Sequence, residues 1–244
     1  MKIIAVIPAR LNSSRLPNKL LRDICGKTLI RRTYEATKNS NLFDDILVVT
    51  NSKKILSELK KYEISYLFDE NEYETGTDRI AGVAEHINAD IIINVQGDEP
   101  FVKPITIQSI INTFKNDPNK SIGIVSVMTP FLNDLELNNP NNVKVITDMS
   151  NNAIYFSRYP IPYKKNINTS IPHKHVGIYA FRKKALLMFS KLSVGNLEKS
   201  QKIEALRLIE NKIDIKMIKS NELFVGIDTN DDLNKAIKIF RNKK

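Results

Sequence analysis

The sequence predicts an α/β protein with a mostly parallel, doubly wound sheet. The first observation is a set of short apolar runs without polar alternation, which predict strands buried on both faces at residues 3–7, 46–50 and 91–95. The second is helical periodicity in the segments between these runs, at residues 27–39, 53–61 and 78–86. Alternating strands and helices build a parallel sheet with helices on both faces. The carboxyl ends of the strands then meet at one edge, where ligands usually bind.

The second half of the chain has a different pattern. Two strands joined by a turn are predicted at residues 143–146 and 153–156, and a further strand at residues 176–181. Helices are predicted at residues 183–191, 197–211 and 231–241. The sequence has no internal repeat and no low-complexity linker, so we expect a single domain over residues 1–244. We expect a β-rich arm to be inserted in it at about residues 140–182.

Composition narrows the class of protein. The chain has 244 residues, of which 42% are hydrophobic and 26% charged, as in globular proteins rather than disordered or fibrous ones. Its single cysteine excludes an intrachain disulfide and a cysteine-rich zinc site. No apolar run approaches the roughly 18 residues of a membrane-spanning helix, so we expect a cytoplasmic protein. The net charge of +10 is spread along the chain, which favours a solvated surface over a nucleic-acid or membrane partner.

A basic segment follows the first predicted strand. Residues 8–19 contain Arg10, Arg15 and Lys19 together with two serines. Arginine can donate to two phosphate oxygens, lysine supplies a compact charge, and the backbone N–H groups of such a loop can bind anions. The segment lacks the glycine spacing of a Walker loop. Its position at a strand end favours triphosphate binding over the alternative, which is a basic surface loop.

Two acidic residues are candidates for a metal site. Asp98 follows the apolar run at residues 91–95, so we expect it at the same sheet edge as the basic segment. A carboxylate there must be paired or bound to metal. Mg²⁺ is the natural partner, because it binds one or two carboxylates plus substrate phosphates. Asp228 is either a second metal ligand or part of a segment that caps the last helix through Thr229 or Asp231.

A small polar segment precedes the helix predicted at residues 78–86. Residues 74–79 include Gly76, whose backbone can approach a nucleotide base closely. Capping of the helix by Thr77 or Asp78 is equally compatible with the spacing.

These segments, in this order, resemble the bacterial 3-deoxy-manno-octulosonate (KDO) cytidylyltransferases. The resemblance covers essentially the whole chain and extends to residues 94–100, 155–158, 175–179 and 226–229. It implies a fold of the nucleotide-diphospho-sugar transferase type, with the inserted arm forming a homodimer interface. It also implies that CTP and KDO are converted to CMP-KDO and pyrophosphate with Mg²⁺ as cofactor, for lipopolysaccharide or capsule synthesis.

The resemblance also implies roles for individual residues. The catalytic residues would be Asp98, Arg15, Lys19 and Asp228, with Asp98 and Asp228 as the metal ligands. The nucleotide would be bound by Ala9, Arg10, Arg15, Lys19, Thr75, Gly76, Thr77, Arg79 and Gln96. The sugar acid would be bound by Gln96, Arg158, His175, Tyr179 and Glu204.

Two positions depart from the common pattern of the family. Asn18 stands where glycine is common, and Ala205 follows Glu204 where many members have glutamine. The second departure leaves open a cytidylyltransferase for 8-amino-KDO or another sugar acid. A further alternative is a basic, non-catalytic nucleotide- or RNA-binding protein, in which Asp98 and Asp228 would repel phosphate unless metal were present.

Overall fold

The computed structural model describes residues 1–13, 15–163, 172–222 and 224–242. The strands are β1 Ile3–Ala9, β2 Asp45–Thr50, β3 Tyr66–Phe68, β4 Ile91–Asn94, β5 Ile124–Pro130, β6 Lys144–Thr147, β7 Ala153–Ser157, β8 His173–Arg182 and β9 Lys216–Lys219. The helices are α1 Leu29–Lys38, α2 Lys53–Lys61, α3 Gly76–Val83, α4 Pro104–Lys115, α5 Asp134–Asn138, α6 Lys183–Phe189, α7 Asn196–Gln201, α8 Ala205–Glu210 and α9 Asn230–Asn242. Short 3₁₀ turns lie at Lys19–Leu21 and Ala84–His86.

The chain forms two compact units, Met1–Pro104 with Phe224–Lys244, and Ile105–Leu223. The first unit contains four parallel strands in the order β3-β2-β1-β4. Every residue of β1 and β4 is buried, as the uninterrupted apolar runs predict. The strand order reverses at β1, which is flanked by β2 and β4. Ligands of open α/β sheets bind outside the carboxyl ends of the strands at such a reversal.

The second unit is a mixed β structure with helices. Strand β5 pairs antiparallel with β8 and parallel with β9, and β6 pairs antiparallel with both β7 and β8. Its core contains the fully buried rings of Phe156, Phe181 and Phe189. The hairpin predicted from two short strands and a turn is confirmed as β6–β7.

The predicted mixed α/β fold with a mostly parallel sheet is confirmed. The expectation of one domain with an arm at residues 140–182 stays a prediction, and residues 164–171 of that arm lie outside the described residues, as does Ser14 of the basic segment. No helix in the described part of the chain is both long and apolar enough to span a membrane.

The single helix predicted at residues 197–211 is wrong. The structure has two helices there, α7 and α8, because Lys202 adopts a left-handed conformation with φ of 54° and ends α7. The apolar periodicity continues across the break, so periodicity alone did not reveal it. The break matters for the site, since Glu204 lies in the turn between the two helices.

A buried ion pair joins the two helices. The Nε and Nη2 atoms of Arg207 donate to the Glu198 carboxylate at 2.7 and 2.8 Å, and the guanidinium lies 4.3 Å from the centre of the Phe189 ring. Both side chains are almost completely excluded from solvent. This pair therefore fixes the turn that carries Glu204.

We expect Glu198→Gln to lower the free energy of unfolding by about 3 kcal/mol, because it removes the carboxylate charge that pairs with the buried Arg207 guanidinium. Urea denaturation measures this loss. Glu70→Gln, at an exposed position, is the matched control and should change stability by less than about 0.5 kcal/mol. Equal effects of the two substitutions would mean that the ion pair does not hold the turn.

Candidate active site

The carboxyl ends of β1 and β4 lie side by side in the first unit. Val6 of β1 is in register with Asn94 of β4, and Val95 N–H donates to the Val6 carbonyl at 3.0 Å. The basic segment leaves the end of β1 at Ala9, and the turn that carries Asp98 leaves the end of β4. The expectation that the sheet brings these two segments to one edge is therefore confirmed.

Gly97 allows the two segments to approach closely. A β-carbon at this position would lie 3.1 Å from the Pro8 carbonyl oxygen and 3.2 Å from the Leu20 side chain. The turn is also held from the other side, because Thr33 Oγ1 of α1 donates to the Gly97 carbonyl at 2.9 Å. Asp98 is thus presented by a turn with little freedom to move.

Asp98 and Asp228 converge on the ammonium group of Lys19. Lys19 Nζ donates to Asp98 Oδ2 and, at 2.9 Å, to Asp228 Oδ1. The backbone brings the two aspartates together as well, since Ile227 N–H donates to the Asp98 carbonyl at 3.0 Å. Arg15 Nη2 lies 3.2 Å from the other oxygen of Asp228. Two carboxylates and two cations therefore form one connected cluster.

Electrostatics keep the Lys19 ammonium charged. Burial would lower the pKa of Lys19, but the charges of Asp98 and Asp228 outweigh it and raise the pKa above its ordinary value. The side chain of Lys19 is 11% exposed, whereas that of Asp228 is 43% exposed. Part of the Asp228 carboxylate therefore faces solvent, from which a ligand can approach.

The donor set of this cluster fits Mg²⁺. Two carboxylates already share one cation, and Mg²⁺ prefers one or two protein carboxylates with phosphate and water oxygens as its remaining ligands. The described residues contain no group of three or more His, Cys, Asp or Glu arranged to hold a metal. Asp98 and Asp228 would leave the remaining ligand positions of such an ion to phosphate and water oxygens.

The helix α3 begins beside the same strand ends. A β-carbon on Gly76 would lie 3.2 Å from the Pro8 side chain and 3.4 Å from Gln96 Oε1. Thr75 is the N-cap of α3, since its Oγ1 accepts from Asp78 N–H at 3.1 Å. Capping by Thr77 or Asp78 is therefore wrong: Thr77 is buried, and its hydroxyl oxygen accepts from Asn94 Nδ2 at 3.3 Å.

The other predicted nucleotide-binding residues differ in exposure. Ala9 is completely buried at the end of β1. Arg10 is exposed, whereas Arg79 is 4% exposed. Thr229 caps α9, because its Oγ1 accepts from Asp232 N–H at 3.2 Å, and this leaves the neighbouring Asp228 carboxylate to the cluster with Lys19.

The second unit brings His175 and Tyr179 together on β8. Their ring centres lie 5.3 Å apart, and Phe156 packs edge-on against His175 at 5.0 Å. Ser126 Oγ donates to the Ile178 carbonyl at 2.9 Å and lies 3.1 Å from His175 Nε2. Because the single hydroxyl hydrogen is used for the carbonyl, Nε2 must donate to Ser126, and Nδ1 is left as an acceptor.

His175 and Tyr179 are held in their neutral forms. Burial lowers the pKa of His175 to about 3. Burial also raises the pKa of Tyr179, and the charges of Glu204 and Glu198 raise it further. A neutral imidazole and a phenol can make hydrogen bonds to sugar hydroxyls, but His175 does not supply a positive charge for a carboxylate.

Arg158 holds the turn between α7 and α8. Its Nε and Nη2 donate to the carbonyls of Gln201 at 2.6 Å and Lys202 at 3.2 Å, and its Nη1 donates to Pro140 at 2.9 Å. Arg158 therefore fixes the turn that leads to Glu204 as well as carrying charge. Ala205, which follows Glu204, is 1% exposed and packs into the core as a small apolar residue.

Sequence reasoning missed the contributions of Ser126 and Lys144. Ser126 interrupts the apolar run of β5, and that polar residue in a buried strand was the available signal. Lys144 is completely buried, and its Nζ donates to the carbonyls of Asn139 and Arg158, each at 2.9 Å. No sequence pattern distinguishes this lysine from the many exposed ones.

Comparisons with known proteins identify the family. A family model described as cytidylyltransferase matches residues 4–215. The 3-deoxy-manno-octulosonate cytidylyltransferase of Flavobacterium johnsoniae is 46% identical over 99% of this chain and 100% of its own length. The protein of the same name from Christiangramia forsetii is 44% identical over 98% of this chain and 96% of its own.

A solved structure is also similar over the full length. It is CMP:2-keto-3-deoxy-manno-octonic acid synthetase complexed with CTP, with a TM-score of 0.93 and 33% identity over 100% of both chains. A putative glucose-1-phosphate thymidylyltransferase from Bacillus anthracis has a TM-score of 0.70 at 15% identity, covering 98% of this chain and 96% of its own, which shows a shared fold alone.

The neutral state of His175 predicts how stability depends on pH. The unfolded chain takes up a proton near pH 6.5, whereas the folded chain excludes it down to about pH 3. This contribution to stability is therefore complete above about pH 6.5 and is lost as the pH falls toward 3. We expect urea denaturation between about pH 7 and pH 5 to show a steeper loss for the wild type than for His175→Gln. Equal slopes for the two proteins would show that the folded protein protonates His175.

Proposed function

The chain belongs to the 3-deoxy-manno-octulosonate cytidylyltransferase family. We therefore propose that Asp98 and Asp228 hold the Mg²⁺ with which it activates KDO. The enzyme is a nucleotidyltransferase that uses CTP to form CMP-KDO. The observation that carries the proposal is the convergence of Asp98 and Asp228 on Lys19 at the switch point of the first unit.

The reaction is a nucleotidyl transfer. The anomeric hydroxyl of the sugar acid attacks the α-phosphorus of CTP, a P–O bond forms to the sugar, and the bond to pyrophosphate breaks. Negative charge develops on the phosphoryl oxygens and on the leaving group. Positioning and fixed positive charge therefore supply most of the catalysis in such reactions.

The basic segment is suited to hold the triphosphate. Arg10 is exposed at the end of β1, and Arg15 is half-exposed beside Asp228. We infer that both bind phosphate oxygens and that Lys19 moves its ammonium from the two carboxylates to the departing pyrophosphate. A β-carbon on Gly76 would lie 3.4 Å from Gln96 Oε1 at the start of α3, and this closeness supports a nucleotide contact through these residues together with Thr75 and Arg79.

A bound Mg²⁺ would supply Lewis-acid stabilisation of the α-phosphate and lower the pKa of the attacking hydroxyl. Asp98 and Asp228 would hold it, and the ion would take the place of the Lys19 ammonium between their carboxylates. The rigidity of the turn at Gly97 supports this role, because Asp98 needs no large rearrangement to bind.

The sugar acid is proposed to bind to the cluster in the second unit. The Nδ1 acceptor of His175 and the hydroxyl of Tyr179 are suited to sugar hydroxyls. Arg158 supplies positive charge for the sugar carboxylate, although its guanidinium is already engaged by three carbonyls. Glu204 completes the proposed pocket.

We further propose a homodimer. Large apolar side chains are exposed on and after the β6–β7 hairpin, namely Met149, Ile154, Tyr159 and Tyr163. Several exposed, large apolar side chains within one segment of the chain favour a protein interface. A second copy of the chain is the partner that the family resemblance implies. We also propose that the enzyme works in the cytoplasm and supplies CMP-KDO for lipopolysaccharide or capsule synthesis.

Release of pyrophosphate from CTP, KDO and Mg²⁺ tests this function directly. We expect Asp98→Asn to lower kcat by about 10³-fold, since the lost metal contact is worth several kcal/mol at the transition state. Asp231→Asn is the matched control, because this exposed aspartate lies three residues from Asp228 and should keep near-normal turnover. Near-normal turnover of Asp98→Asn at saturating Mg²⁺ would overturn the metal assignment.

Two further outcomes of the same assay distinguish the alternatives. Faster turnover of 8-amino-KDO than of KDO at equal concentrations would assign the enzyme to the amino sugar acid. No pyrophosphate release with any sugar acid, combined with salt-sensitive RNA binding, would favour a nucleic-acid-binding protein.

A further inference from the structure

Tyr73 is held in one orientation by the segment that precedes α3. Its hydroxyl donates to Asp69 Oδ2 at 2.6 Å. The other carboxylate oxygen of Asp69 accepts from Asn71 N–H at 3.1 Å and from Asn71 Nδ2 at 2.8 Å. Partial burial would raise the pKa of Asp69, but these hydrogen bonds outweigh it and lower the pKa, so the acceptor stays ionised.

Tyr73 lies across the face of α3 that carries Arg79. The guanidinium carbon of Arg79 is 5.5 Å from the centre of the Tyr73 ring, within the range of a cation–π contact. Gly82 lies three residues after Arg79 on the same helix face. A β-carbon at position 82 would overlap the Tyr73 hydroxyl, so the glycine makes room for the ring.

Arg79 is a buried cation with unused hydrogen-bonding capacity. It is 4% exposed, and its Nη1 atom has no hydrogen-bond partner among the described residues. A buried donor of this kind is costly unless a ligand satisfies it. The charge of Arg10 acts on Arg79 and contributes to lowering its pKa, although burial is the larger cause, so the guanidinium lies near the basic segment.

A ring face holds a guanidinium in a way that a carboxylate cannot. A carboxylate bound directly to Arg79 would occupy its N–H donors, whereas a ring face attracts the cation without accepting those hydrogen bonds. The Asp69 carboxylate instead accepts a hydrogen bond from the Tyr73 hydroxyl, and the Tyr73 ring makes the contact with Arg79. The Asp69–Tyr73 pair therefore orients Arg79 and leaves Nη1 available.

We propose that Tyr73 is a positioning residue for Arg79, which it holds so that Nη1 can donate to an acceptor on the nucleotide. This inference rests on the proposed function, in which Arg79 binds CTP. Tyr73 itself need not touch the nucleotide, and its effect on the reaction passes through Arg79.

Steady-state kinetics with CTP as the varied substrate test the inference. We expect Tyr73→Leu to raise KM for CTP about tenfold, with kcat changed less than about threefold and KM for the sugar acid unaltered. Tyr73→Phe keeps the ring but loses the bond to Asp69, and it should raise KM for CTP by a smaller factor. Tyr62→Leu is the matched control, because it removes a cation–π contact with Arg31 at 3.9 Å and should leave KM for CTP unchanged.

Introducing Tyr73→Leu into an Arg79→Met background separates positioning of Arg79 from a general structural effect. If Tyr73 acts through Arg79, Tyr73→Leu should change KM for CTP less than about twofold in that background. An equal rise with and without Arg79, or an unchanged KM in both Tyr73 variants, would overturn the inference. If the wild type turns over CTP but KM for CTP is unchanged in the Tyr73 variants, the proposed function stands and only the inference about Tyr73 fails. If the wild type does not use CTP, both the proposed function and the inference fail.

Discussion

The site depends on one ammonium group placed between two carboxylates. Lys19 lies 79 residues from Asp98 and 209 residues from Asp228, yet its Nζ contacts both. Without a cation between them, the partly buried carboxylates of Asp98 and Asp228 would repel each other. The arrangement therefore requires a positive charge at all times, from the lysine or from a metal that replaces it.

The fold produces this arrangement through the strand order of the first unit. Because the order reverses at β1, the segments that follow β1 and β4 leave the sheet side by side. Gly97 lets them approach, and the hydrogen bond from Ile227 to Asp98 brings in the C-terminal segment. Each of these contacts involves the backbone, so the position of the carboxylates depends little on flexible side chains.

The sequence was sufficient to predict the parallel strands and the residues at their ends. Both signals are strong, because strands buried on two faces are uninterrupted apolar runs and charged residues directly after them need a partner. It also contained the signal for a left-handed residue at position 18. Asn18 has φ of 54°, a conformation that glycine adopts most easily and asparagine tolerates.

Features that depend on tertiary contacts could not be predicted. The break between α7 and α8 occurs at Lys202, a residue type without a preference for the left-handed conformation that it adopts. The cap of α3 is Thr75 rather than Thr77 because Thr77 is drawn into the core by Asn94. Likewise, the orientation of Arg79 depends on Tyr73 and on the space above Gly82, which no spacing rule encodes.

Anomalous diffraction from crystals grown with CTP and Mn²⁺, in place of Mg²⁺, is the most direct test of the central claim. We predict a single strong peak bonded to oxygen atoms of both Asp98 and Asp228, with Lys19 Nζ turned to a phosphate oxygen. A metal bound without either aspartate, while Lys19 still pairs with both carboxylates beside the bound nucleotide, would contradict it.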